Sequence, residues 1–130
     1  WATCRSSIAR IDERTRAVVT IPVAGIPDAV AVGPSGVWAL TYDLRGRSRL
    51  VRIDPRSNHV VARRVLAGSP MSVLEQRGAL WIGGLDRKRS SVLLRLDPRS
   101  LAVRRTIPLF QVTLDERRER QVAERRTQRR

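Results

Sequence analysis

Few residues in this chain are suited to chemistry at neutral pH. Its 130 residues include one cysteine, one methionine, one histidine and one lysine, and its aromatic rings are three Trp, one Tyr and one Phe. A lone Cys4 excludes an internal disulfide and a cysteine metal cluster, and it reads as a small, half-buried strand residue. No run of 18 apolar residues occurs, which excludes a transmembrane helix. The N-terminus has no basic-then-apolar signal pattern. Ser-His-Asp, Cys-His, glycine-rich phosphate-loop and paired-carboxylate patterns are also missing, so no catalytic residue is assigned and no cofactor is expected.

Positive charge, by contrast, is abundant. Lys+Arg number 26 against 12 Asp+Glu, giving a net charge of +14, and Lys88 is the only lysine. Such a balance fits an anionic partner. An arginine excess over lysine is also what compositional bias of the coding sequence produces. The apolar fraction of 42% is that of an ordinary folded domain.

The strongest pattern is a repeat. Arg10-Ile11-Asp12, Arg52-Ile53-Asp54 and Arg95-Leu96-Asp97 recur at a period in the low forties, each preceded by a tryptophan at Trp1, Trp38 and Trp81. That period, filled with short apolar runs, predicts one four-stranded blade per repeat. In the central repeat, residues 28–32 alternate as an inner strand and Gly33-Pro34-Ser35-Gly36 supplies a turn. Residues 37–42 form the second strand and 50–54 the third; Asp54-Pro55-Arg56-Ser57 has the residue preferences of a type I turn. Residues 59–66 alternate as an outer strand. The next repeat places strands at 71–75, 79–83, 92–97 and 103–109. The fold class expected is therefore all-β: a partial β-propeller of two and a half to three antiparallel blades over residues 1–112. Residues 113–130 form a charged tail, helical or disordered, with Glu116 and Arg120 at i, i+4 spacing.

Three segments carry a family resemblance: Gly36-Val37-Trp38-Ala39-Leu40, Val51-Arg52-Ile53-Asp54-Pro55-Arg56-Ser57 and Thr20-Ile21-Pro22-Val23-Ala24-Gly25-Ile26-Pro27. They resemble the YVTN-type β-propeller repeats of bacterial proteins and the related streptogramin B lyase-type propellers, over about residues 1–109. The resemblance implies a ring of about six to eight blades, mostly without assigned chemistry and commonly outside the cytoplasm. For the lyase branch it also implies a histidine, a carboxylate and a divalent metal. This chain begins at Trp1, in the middle of a repeat, and holds too few blades to close, since rings need at least about four. The expectation is a piece of a longer chain, an aberrantly ended reading frame or a protomer that needs partners, prone to self-association through open blade edges.

The candidate site lies in two basic loops. Asp43-Leu44-Arg45-Gly46-Arg47-Ser48-Arg49 and Asp86-Arg87-Lys88-Arg89-Ser90-Ser91 join the second and third strands of adjacent repeats. Arg45, Arg47, Arg49, Arg87, Lys88 and Arg89 are the candidate ligand-binding residues, an anion-holding rim that could pair with phosphate or carboxylate. His59 follows a hairpin turn at the start of an outer strand, away from any channel, and Asp12, Asp54 and Asp97 each open a turn, so no metal site is assigned. The tryptophans fall at one equivalent position, which marks core packing over a stacking platform for nucleic acid. The function expected is a noncatalytic binding or scaffold module whose ligand or protein partner is unidentified. The alternatives are a fragment of a metal-dependent lyase-like propeller lacking its catalytic blades, and nonspecific polyanion binding through loops and tail.

Overall fold

The computed structural model describes residues 1–110; the tail expected at 113–130 lies outside the described residues. Eleven strands form three antiparallel sheets, with no helix among the described residues. The first sheet holds β1 (Ala2–Cys4), β2 (Ser7–Ile11) and β3 (Val18–Pro22). The second holds β4 (Ile26–Gly33), β5 (Gly36–Tyr42), β6 (Ser48–Asp54) and β7 (His59–Leu66). The third holds β8 (Ser69–Gln76), β9 (Ala79–Leu85), β10 (Ser91–Leu96) and β11 (Val103–Phe110). Each sheet is a meander in chain order, the arrangement of successive blades in a partial propeller, and none closes into a barrel.

The sheets stack through two apolar layers created by the alternation of strand side chains. Along β5, Val37 and Ala39 face the first sheet, and Trp38 and Leu40 face the third. The layer between sheets one and two is built from Ile8, Ile21, Val23, Val37, Ala39, Val51 and Ile53. The layer between sheets two and three contains Trp38, Leu40, Leu50, Leu66, Leu80, Ile82, Leu96 and Leu101. Because both faces of the second sheet are covered, residues 37–41 are buried without a break.

Each sheet's third and fourth strands (in the first, β2 and β3) join through the same turn. Asp12, Asp54 and Asp97 open it, and the peptide N–H of Arg16, Asn58 and Leu101 donates back to the opening residue's carbonyl at 2.7, 2.8 and 2.8 Å. The aspartate side chains accept from Arg14, Arg56 and Arg99 N–H at 2.8–2.9 Å. Arg16, Asn58 and Leu101 all take positive φ near 60°, a type I turn followed by a left-handed residue, for which Asn58 is the best suited of the three. Cys4 departs from expectation. It is exposed rather than half-buried, because it ends an edge strand beside the β1–β2 turn, in register with Ser7. No helix of the described residues is long and apolar enough to cross a membrane.

Candidate functional site

The two basic loops are built alike and occur at the same place in successive sheets. Asp43 Oδ1 accepts from the N–H of Arg45 and Arg47 at 2.9 and 3.0 Å. Asp86 Oδ1 accepts from the N–H of Lys88 and Ser90, both at 2.9 Å. In each loop the Asp N–H donates to the carbonyl four residues on, Arg47 at 3.0 Å and Ser90 at 2.9 Å. Asp43 is thus consumed as a scaffold, and its carboxyl is held below the ordinary 3.8, first by the Arg47 peptide N–H and then by the Arg47 guanidinium. Gly25 and Gly68, both at positive φ, sit directly against Tyr42–Asp43 and Leu85–Asp86, where a Cβ would collide with backbone. The turn into each inner strand therefore lies against the loop of its own sheet.

The six candidate cations divide into two groups. Arg47 Nε contacts Asp43 Oδ2 at 2.8 Å and Arg49 Nη2 lies 3.6 Å from the same oxygen. These two are tied to their own loop. Arg45, Arg87, Lys88 and Arg89 are exposed. Arg45 and Lys88 hold equivalent positions, two residues after the loop aspartate, whereas Arg87 and Arg89 replace Leu44 and Gly46 of the earlier loop. The third sheet's loop thus exposes three cations that form no ion pair among the described residues, whereas in the second sheet's loop Arg45 is the exposed cation without one and the exposed Arg47 is paired with Asp43.

At the opposite end of the strands the repeat marks form a relay. In register, Trp38 pairs with Arg52 and Trp81 with Arg95 across neighbouring strands. The guanidinium carbons of Arg10, Arg52 and Arg95 lie 5.6, 5.9 and 5.8 Å from the ring centres of Trp1, Trp38 and Trp81, cation–π geometry in all three. Each of the first two arginines also reaches the turn of the following sheet. Arg10 Nη1 donates to Pro55 O at 2.5 Å and Asn58 Oδ1 at 3.0 Å, and Arg52 Nη1 to Pro98 O at 3.2 Å. The periodicity gave the positions of these residues but not this second task.

Sequence reasoning missed Glu75. Its buried carboxylate, on β8, accepts the Trp38 indole N–H at 2.6 Å and the Ser35 peptide N–H at 3.2 Å. It latches the third sheet onto the second. The equivalent place on β4 is Val32, paired with Val37 as Glu75 is with Leu80, so comparing repeats gives no hint of it.

His59 is exposed, opposite Asp54 at the mouth of its hairpin. Among the described residues no three His, Cys, Asp or Glu side chains gather to hold a metal. Asp12, Asp54 and Asp97 stay in their separate turns. By fold and geometry, then, the described residues make a stack of blade-like sheets with a structured basic end and an opposite end of linked turns. No family model matches the chain, and no curated protein matches it.

Proposed function

We propose that this chain is a partial β-propeller of YVTN-like repeats that works as a noncatalytic binding or scaffold module, taking an anionic group at its basic loop end. The observation that supports this reading is the shared construction of the two loops. In each, an aspartate satisfies the backbone from within, and the cations Arg45, Arg87, Lys88 and Arg89 are left to solvent. An arginine presented in this way can pair with two oxygens of a phosphate or carboxylate. A rigid loop also loses little conformational freedom on binding.

The test is retention on heparin and binding to a short DNA at low salt. Replacing Arg45, Arg47, Arg49, Arg87, Lys88 and Arg89 by Gln should abolish both. Most of the loss should already appear with Arg45, Arg87, Lys88 and Arg89 alone, because Arg47, though exposed, and Arg49 are engaged with Asp43. For the unmodified chain, log K should fall with log salt by about 0.7 to 0.9 for every phosphate contacted. Binding unchanged by the sixfold replacement overturns the reading.

A further inference from the structure

Both internal sheet junctions use one device, and its third copy stands open. Arg10 on Trp1 grips the second sheet's turn, and Arg52 on Trp38 grips the third sheet's. Arg95 is stacked on Trp81 in the same way, but among the described residues no turn meets it. Trp38 is 0% exposed and Arg52 half-buried, whereas Trp81 is only half-buried and Arg95 is exposed. Trp81 and Arg95 instead border an open cleft of about 470 Å³ with Gln76, Arg77 and Ala79. Leu74, in register with Trp81 on the same face, is 52% exposed.

The receiving half of the device is also present, on the back of the first sheet. Ile53 and Val60 pair in register and face the first sheet from β6 and β7, and Ile53 is 0% exposed. Their counterparts in the third sheet, Leu96 and Val103, pair likewise, with Leu96 at 1% and Val103, towards the strand edge, at 39%. In the first sheet the counterparts are Ile11 and Val18, again paired in register but 47% and 60% exposed. The Asp12 turn beside them repeats the hydrogen bonds of the Asp54 and Asp97 turns, with Glu13 in the place of Pro55 and Pro98.

We infer that the open face of the third sheet docks the back of the first sheet of a second copy of this chain, with Arg95 donating to the Glu13 carbonyl. The inference rests on reading the sheets as propeller blades. The contact is head-to-tail, so it closes into a ring if the rotation allows and otherwise extends. One residue opposes it. Arg16 occupies the place of Asn58, the residue whose side-chain oxygen receives Arg10, and so it sets a like charge before the incoming Arg95.

Sedimentation equilibrium of the 130-residue chain tests this. Concentration-dependent association is expected, weakened at least about tenfold by Arg95→Ala. Arg16→Asn should tighten it several-fold by removing the repulsion and supplying the acceptor, a gain that a folding defect cannot mimic. Gln at Arg45, Arg87, Lys88 and Arg89, at the other end of the strands, should leave association intact, so failure of anion binding and failure of docking are read separately. A monomer at about 200 µM in both the unmodified chain and Arg16→Asn overturns the inference. So does association that survives Arg95→Ala or ignores Arg16→Asn.

Discussion

Trp38 and Trp81 occupy one position in successive sheets, with the same arginine stacked on the ring, yet their surroundings differ. Around Trp38 the third sheet supplies Leu80, Ile82, Leu96 and Leu101, with Glu75 taking the indole N–H. Around Trp81 an open cleft replaces those neighbours. The face itself has changed to match. Leu40 opposite Leu50 in the second sheet corresponds to Gly83 opposite Leu93 in the third, and Ala62 beside Arg52 corresponds to Arg105 beside Arg95. The Trp–Arg pair is thus a constant of the repeat, while the residues around it are tuned to what covers them. A covered pair is part of the core; an open pair is a surface that keeps the geometry of a junction.

The largest effect should separate the two tryptophans. Trp38→Ala removes a fully buried ring and leaves Glu75 without its donor, at a cost of about 3–5 kcal/mol. Trp81→Ala removes a half-buried ring that faces a cleft and should cost about 1–2 kcal/mol. Urea denaturation followed by far-UV circular dichroism, at a concentration where the chain is monomeric, measures both. Equal losses would mean that the two rings are equally covered.

Next in size is the Glu75 latch, which only the covered pair has. Glu75→Ala leaves the buried Trp38 N–H without an acceptor and should lower stability by about 1–3 kcal/mol. Glu75→Gln keeps a carbonyl oxygen in place and should recover part of that loss. Trp38 fluorescence should shift in Glu75→Ala, observed in a Trp1→Phe, Trp81→Phe background. If Glu75→Ala is as stable as the unmodified chain, the latch contributes nothing and apolar packing alone distinguishes the two sites.

What could be read from the sequence follows from what repeats. Strand order, the opening aspartates and the tryptophan positions were all legible, because each recurs three times and each has a local cause: alternation, turn preference and ring packing. Strand ends were less so. β4 and β8 run longer than alternation indicated, since the residues flanking Gly25 and Gly68 are held against the Asp43 and Asp86 loops by contacts distant in sequence. Glu75 was hidden for the opposite reason: it occurs once, and a carboxylate on an inner strand has no local signature until Trp38 and Ser35 are brought to it. In the candidate rim, charge was legible but its partition was not. Arg47 and Arg49 look equivalent to Arg45 until Asp43 is seen to hold both.

The smallest effect concerns the turns that the arginines grip. Asp12 and Asp97 have carboxyls held below the ordinary 3.8, Asp12 chiefly by the Thr15 peptide N–H and Asp97 by those of Ser100 and Arg99. Asp43 is lowered in the same direction in its loop. In the unfolded chain these hydrogen bonds are gone and the groups return to their ordinary value. A lowered folded value favours the folded state above pH 3.8, and that contribution disappears as pH falls through the folded values. The turns are solvent-exposed, so each contribution is small. The urea midpoint should therefore be flat from neutral pH to about 5 and decline gently below 4, with Asp12→Asn and Asp97→Asn flattening the decline. The Asp97 turn is gripped by Arg52 through Pro98 O, whereas no arginine of this chain's described residues grips the Asp12 turn. Loss of the Asp97 cap should therefore also loosen the junction between sheets two and three. Asp97→Asn should lower the midpoint at pH 7 more than Asp12→Asn does, and identical midpoints would show that the turn and the grip act independently.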